Sequence, residues 1–366
     1  MRISTTSLTL WSAASLSLLL ANSAAFFAPS TDIQQPGTQP LQASLLGGVS
    51  SCDGCHGYYN QAVEPAENWQ GSMMAHAGRD PVFWAALAVA DSDYPGAGDY
   101  CIRCHSPRGW QEGRAVPSDG SSLIDGVDHN GIECAICHNM VNPDGGEYAG
   151  QQFSPFVANT GGAVPEGFYG SGMMVLAGNQ TRYGPYANAT AGHAWARSKF
   201  HRETEMCGTC HEVSNPVTGD LAANNGALTP LAPGTFSGVS GSPVTSKAAF
   251  NNPPYKYGIV ERTYSENLSS ALSSTLVSSY SSLPADMKRG AIKRAYDQAQ
   301  LASQGGDYED QTPRYFSCQS CHMEPVVGEG AGFGIAPLRY DQPLHDLTGG
   351  NTWVPNAIKW LDNQVP

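Results

Sequence analysis

Apolar positions in this chain gather in a few short stretches, separated by long polar intervals rich in glycine. The first stretch runs from Leu8 to Leu20, with Ser, Thr and Ala interspersed. It follows a positive start at Met1-Arg2 and precedes the small residues Ala21, Ser23, Ala24 and Ala25. That layout predicts an export signal over residues 1–25. The stretch is too short and too rich in serine for a membrane span, and no later segment is long enough for one. A second stretch predicts a helix capped by Asp80, with Pro81 first and Phe83, Trp84 and Leu87 turned inward. Further on, Tyr264, Leu268, Leu272, Leu276 and Tyr280 repeat every four residues as a single stripe. Beyond Leu283 a helix from Pro284 carries Met287, Ala291, Ala295 and Ala299 towards a stop at Gly305-Gly306. The last two stretches predict a helical hairpin over 264–304, a packing element without a ligand cluster. Residues 140–192 and 212–256 are rich in Gly, Pro and Asn and read as loops. The expected fold is mainly α and irregular, with little regular sheet and long loops, in one domain over 26–366.

Composition narrows the function. Of 366 residues only 14% are charged, and the formal net charge of -13 excludes a basic nucleic-acid surface. Gly (41) and Pro (25) are abundant, yet hydrophobic residues reach 41%, more than a disordered chain carries. Sequons at Asn179, Asn188 and Asn267 are short matches with little weight.

The ten cysteines carry the chemistry, and none stands alone. They form Cys52-Asp-Gly-Cys55-His56, Cys101-Ile-Arg-Cys104-His105, Cys134-Ala-Ile-Cys137-His138, Cys207-Gly-Thr-Cys210-His211 and Cys318-Gln-Ser-Cys321-His322. C-x-x-C-H is the attachment motif of c-type haem. Two thiols three positions apart can each form a thioether with one porphyrin vinyl group. The following imidazole then reaches the iron. A zinc site made of cysteines alone needs two such pairs, five pairs is an odd number, and zinc gives no reason for His after every pair. Disulfides suit an exported protein but impose no repeated spacing. A thioredoxin-like motif normally occurs once, in a βαβ setting absent here. The cofactor reading is therefore five covalently attached haems. The motifs are unequally spaced, so the chain is no tandem repeat. The haems themselves would supply the apolar core for so much loop.

From Cys52 to His322 the chain resembles the multihaem c-type cytochromes. Phrases such as Tyr100-Cys-Ile-Arg-Cys-His-Ser-Pro107, His129-Asn-Gly-Ile-Glu-Cys-Ala-Ile-Cys-His138 and Cys207-Gly-Thr-Cys-His-Glu-Val213 are similar to those of periplasmic and extracellular members. The motifs are specific for haem attachment and weakly specific for any one family. The resemblance implies electron transfer outside the cytoplasm, with other cytochromes or redox proteins as partners. Extracellular acceptors also fit, as does self-assembly, since some relatives stack haems end to end in filaments.

Histidine gives a second count. Five of the ten lie in the motifs, and five lie outside: His76, His129, His193, His201 and His345. Five outer imidazoles match five sixth coordination positions, and bis-His ligation is common among the proteins the chain resembles. His129 lies five residues before Cys134 and His201 six before Cys207. Five residues extend at most about 18 Å, a taut path around a porphyrin edge, so each is expected to serve a neighbouring haem. Met73, Met74, Met140, Met173, Met174, Met206, Met287 and Met323 are rival ligands, better explained as packing around porphyrin faces. Trp and Tyr read as packing at haem edges.

The favoured function is an electron carrier with no catalytic residue. The alternative is a reductase or oxidase of a small nitrogen or sulfur compound, which needs one haem with an open position. A motif ending in Lys in place of His would favour that alternative, and none occurs.

Overall fold

The C-x-x-C-H spacing is that of one helical turn, and each motif folds as one. Residues three apart lie on the same helical face, so both thiols of a motif point one way. In the first motif the Cys55 and His56 N–H groups donate to the Cys52 carbonyl at 3.1 and 3.0 Å. In the fourth, the Cys210 and His211 N–H groups donate to the Cys207 carbonyl at 3.1 and 2.9 Å.

A computed structural model describes residues 37–43, 46–93, 96–142, 170–177, 179–214, 259–261, 263–303, 305–350 and 353–363. The helices are α1 (Asp53–His56), α2 (Pro65–Gln70), α3 (Pro81–Asp93), α4 (Ala97–His105), α5 (Pro107–Gln111), α6 (Cys134–Asn139), α7 (Thr204–Gly208), α8 (Thr263–Ser269), α9 (Gly290–Leu301), α10 (Cys318–His322) and α11 (Val354–Asp362). Most are short, and only α3 and α9 reach three turns. The strands are β1 (Met140–Val141), β2 (Val175–Leu176), β3 (Arg182–Gly184), β4 (Trp195–Arg197), β5 (Val213–Ser214), β6 (Ile259–Glu261), β7 (Pro325–Glu329) and β8 (Leu338–Pro343). They pair only in twos, with β3–β4 parallel and the other pairs antiparallel. Two-stranded ribbons cannot hold a core by themselves. The fold is mostly helical and irregular, as expected. No helix among the described residues is long and apolar enough to cross a membrane.

The helix at Pro81 forms as its sequence predicts. The Val82 N–H donates to the Asp80 carboxylate at 2.9 Å, and Phe83 and Leu87 are buried. Trp84 is half-buried and donates its indole N–H to the Gly78 carbonyl at 2.9 Å.

The hairpin over 264–304 does not form as two continuous helices. The first arm breaks after α8 into 3-10 turns at Ala271–Ser274 and Val277–Ser282. Hydroxyls there compete with the helical ladder. Ser270 donates to the Asn267 carbonyl at 2.7 Å, Thr275 to Ala271 at 2.7 Å, and Ser282 to Ser279 at 2.7 Å. The second arm starts late. Pro284 caps a 3-10 turn at Ala285–Met287, Arg289 is extended, and α9 begins only at Gly290, whose φ of 59° favours glycine. Val277, Ala295, Ala299 and Phe316 still pack together, so the apolar stripe finds its partner without helical continuity. Most of the expected loops, at 143–169 and 215–258, lies outside the described residues, as does the export signal.

The buried apolar residues fall into separate small clusters. One gathers Ala135, Ile136, Met140, Leu176, Phe200 and Tyr264 around the third and fourth motifs. Another gathers Phe83, Leu87, Ile102, Trp110 and Ala115 around the second. A domain of this size normally has one contiguous core. Here Ile102, Ala135 and Ile136 of the motifs are themselves members of the clusters.

Candidate functional site

The motif histidines are fixed by their backbone neighbours. His56 Nδ1 donates to the Gly330 carbonyl at 2.6 Å, His138 to Tyr183 at 2.7 Å, His322 to Thr348 at 2.7 Å and His105 to Ala77 at 3.3 Å. A carbonyl only accepts, so Nδ1 carries the proton and Nε2 keeps its lone pair. This is the tautomer and orientation in which histidine ligates a metal. His105 also stacks on Phe83, with ring centroids 3.8 Å apart and 6° between planes. His211 is exposed at the end of the fourth motif.

Two outer histidines face motif histidines in the same tautomer. His193 Nδ1 donates to the Ala194 carbonyl at 3.0 Å, and His345 Nδ1 to Pro343 at 3.0 Å. The His193 ring lies 6.3 Å from His56, and the His345 ring 6.3 Å from His138. Two metal–nitrogen bonds of about 2.0 Å each, plus about 1.1 Å from each nitrogen to its ring centre, place two axial imidazoles about 6.2 Å apart. Burial pushes His345 down to about 4, with His138 adding to the effect. It is therefore neutral, as a ligand must be.

His201 stands differently. Its ring lies 5.9 Å from His138, yet Nε2 donates to the Cys137 carbonyl at 2.9 Å. Its Nδ1 is buried without a partner, and burial pushes the group down to about 3. The structure does not set His76 or His129 in ring contact with a motif histidine. His76 Nδ1 is buried without a partner, and burial lowers the group. His129 lies 5.8 Å from the Trp84 ring and 3.3 Å from the Asp125 carboxylate.

Cysteine is ordinarily among the most buried residue types. Here nine of the ten are half-buried and Cys55 is exposed, and all ten are free. The sulfurs meet across motifs. Cys52 shares a side-chain hydrogen bond with Cys134, Cys104 with Cys210 and Cys318 with Cys207. That bond is the largest influence on both thiols of each pair. Burial pushes Cys101 and Cys137 up to about 11, opposite to the thiolates of catalytic cysteines. Among the described residues no three His, Cys, Asp or Glu side chains converge as a bare metal ion would need.

These residues fit c-type haem. The thiols are partly open, four motif imidazoles are oriented with Nε2 unspent, and the buried apolar residues gather at the motifs in separate small clusters. The pairs Cys52/Cys55, Cys101/Cys104, Cys134/Cys137, Cys207/Cys210 and Cys318/Cys321 would hold the porphyrins, and His56, His105, His138, His211 and His322 the irons.

One feature of this region has no signature in the sequence. Arg202 and Arg314 stack on Tyr308, 4.0 and 4.1 Å from its ring centre. Arg202 pairs with Glu309 at 2.8 Å and Asp310 at 3.0 Å, and Arg314 with Asp341 at 2.5 Å. Tyr186 donates to the Asp341 carbonyl at 2.5 Å, and Arg339 stacks on Tyr186 at 3.7 Å. The knot fastens the chain carrying His193 and His201 to the chain leading into the fifth motif and on to His345.

No family model, curated protein or solved structure matches the chain.

Proposed function

We propose that this protein is an exported pentahaem c-type cytochrome that moves electrons between redox partners in the periplasm or outside the cell. The observation that carries the reading is the state of the five motifs. Each presents two thiols on one helical turn, and four of the five histidines have Nδ1 spent on a backbone carbonyl with Nε2 left for a metal.

When bound, haem iron supplies a one-electron couple whose potential depends on axial ligation, burial and hydrogen bonding. The chain does the rest. Gly330, Tyr183, Thr348 and Ala77 orient the motif imidazoles through their carbonyls. His193 and His345 would hold iron together with His56 and His138 respectively. Phe83 lies flat on the His105 ring and keeps water from that face. Other cytochromes and extracellular acceptors are the partner class, and stacking of identical subunits into a filament is a further form of the same activity. The test is the absorption spectrum of the matured protein, with intact mass to count haems. Sharp reduced-state bands of low-spin c-type haem are expected. A protein without haem after maturation by a competent host contradicts the reading.

One observation favours a second reading, a reductase with one open haem. His201 spends Nε2 on the Cys137 carbonyl and keeps only Nδ1 for an iron, unlike His193 and His345, whose Nδ1 is the nitrogen spent. Rapid binding of cyanide or nitrite to one haem in five supports the reductase, and no binding supports the carrier.

A further inference from the structure

The motifs follow sequence order only from the third to the fifth. The first motif meets the third, where Cys134 bonds to Cys52 and the Val49 N–H donates to the Glu133 carboxylate at 3.1 Å. The third meets the fourth. Cys210 packs on the apolar cluster that holds Ala135 and Ile136. The fourth meets the second, where Cys210 bonds to Cys104. A short strap holds that contact. The Gly172 N–H donates to the Thr209 carbonyl at 2.8 Å, the Ser171 N–H to Glu212 at 2.6 Å, and Arg103 Nε to the Gly172 carbonyl at 2.5 Å. Gly172 has φ of 68°, and a methyl group there would fall 3.0 Å from Cys104 Sγ, so only glycine fits. Finally the fourth meets the fifth, where Cys207 bonds to Cys318 and Gln319 Nε2 donates to the Glu203 carbonyl at 2.8 Å.

A thioether sulfur sits on the porphyrin edge, so touching sulfurs bring two porphyrin edges together. Resting on the haem reading, we infer that the five haems form a branched array. The fourth site is a junction for the second, third and fifth, and the first is reached only through the third. Such an array has three ends. An electron delivered by a redox protein at one end can leave to an acceptor at either of the other two, which a single-file wire does not allow.

The test removes one haem at a time by changing both cysteines of a motif to serine, with intact mass showing four haems on each variant. Haem-methyl NMR signals then follow each remaining site through a redox titration. An oxidised neighbour carries positive charge that favours reduction, so loss of that neighbour lowers the potential of the sites beside it. Cys207→Ser with Cys210→Ser should lower three of the four remaining sites. Cys101→Ser with Cys104→Ser should lower one, and so should Cys52→Ser with Cys55→Ser. Two sites lowered on loss of the fourth haem, and two on loss of the second, would mean sequence order and overturn the junction. Where a variant does not mature, the structure of the intact haem-loaded protein decides. Cys52 beside Cys134, Cys104 beside Cys210 and Cys207 beside Cys318 are expected, and any other set of neighbours overturns the array. A wild-type mass without haem would instead defeat the underlying reading, a separate outcome.

Discussion

The knot around Tyr308 and the meeting place of His56, His138, His193 and His345 lie in adjoining parts of the molecule and are built on opposite terms. In the knot, cations meet carboxylates and aromatic faces, and the Arg202 side chain is only 4% exposed. Its ion pairs and stacked rings lie within the polypeptide, with Arg202 Nε, Glu309 Oε2 and Arg314 Nε buried without a partner. At the histidine meeting place each imidazole has one nitrogen fixed and the other unspent. The half-open thiols nearby carry no disulfide. The first region is held by charge pairs within the protein, and the second, on the proposed haem reading, is shaped for a cofactor. Stability and cofactor binding are therefore separable here.

The largest expected effect on stability is in the knot. Arg202→Ala leaves Glu309 without its buried cation and Asp310 with Arg197 alone, and should cost about 3 kcal/mol by chemical denaturation. The haem spectrum of the protein that remains folded should not change. Asp310→Asn is milder, at about 1–3 kcal/mol near neutral pH. Burial alone would raise the Asp310 carboxyl, but the Thr312 hydroxyl and Arg202 outweigh it and hold the group well below the usual range. A carboxyl lowered on folding adds stability above its unfolded value, about 3.8–3.9, and loses it as pH falls from there. The gap between Asp310→Asn and wild type should thus be full at about pH 6 and close on acidification below about pH 4.

The histidine variants reverse the pattern. His345→Gly and His193→Gly should each convert one haem in five to a high-spin form, restored to low spin by added imidazole. His345→Gly should open the site of His138 and His193→Gly that of His56, as read by the haem-methyl signals. Low-spin spectra in both variants would break the comparison. The smallest effect belongs to an exposed ion pair within α9. Lys293 and Asp297 pair one turn apart on the surface, and Lys293→Ala should change neither the denaturation midpoint nor the spectrum.

What the sequence disclosed follows the range of the interactions. The motif turns and the α3 helix are local, set by residues within four positions of each other, and both are legible. The stripe from Tyr264 to Tyr280 is legible as a buried face but not as broken helix, because the hydroxyls of Ser270, Thr275 and Ser282 choose nearby carbonyls by geometry that periodicity does not record. The partners of the outer histidines are long-range. His345 reaches His138 from far along the chain, and only tertiary structure supplies that pairing. Counting histidines gives five for five, but the count is blind to tautomer and cannot see His201 spend Nε2 on a carbonyl. The knot is invisible for the same reason, since Tyr186, Arg202, Tyr308 and Asp341 share no spacing rule.

That all five motifs carry haem is tested most directly by the intact mass of the matured secreted protein. The expected mass is that of the chain without residues 1–25 plus five haems, with no cysteine open to alkylation. A mass with fewer haems, accompanied by cross-motif disulfides such as Cys52–Cys134, would contradict it.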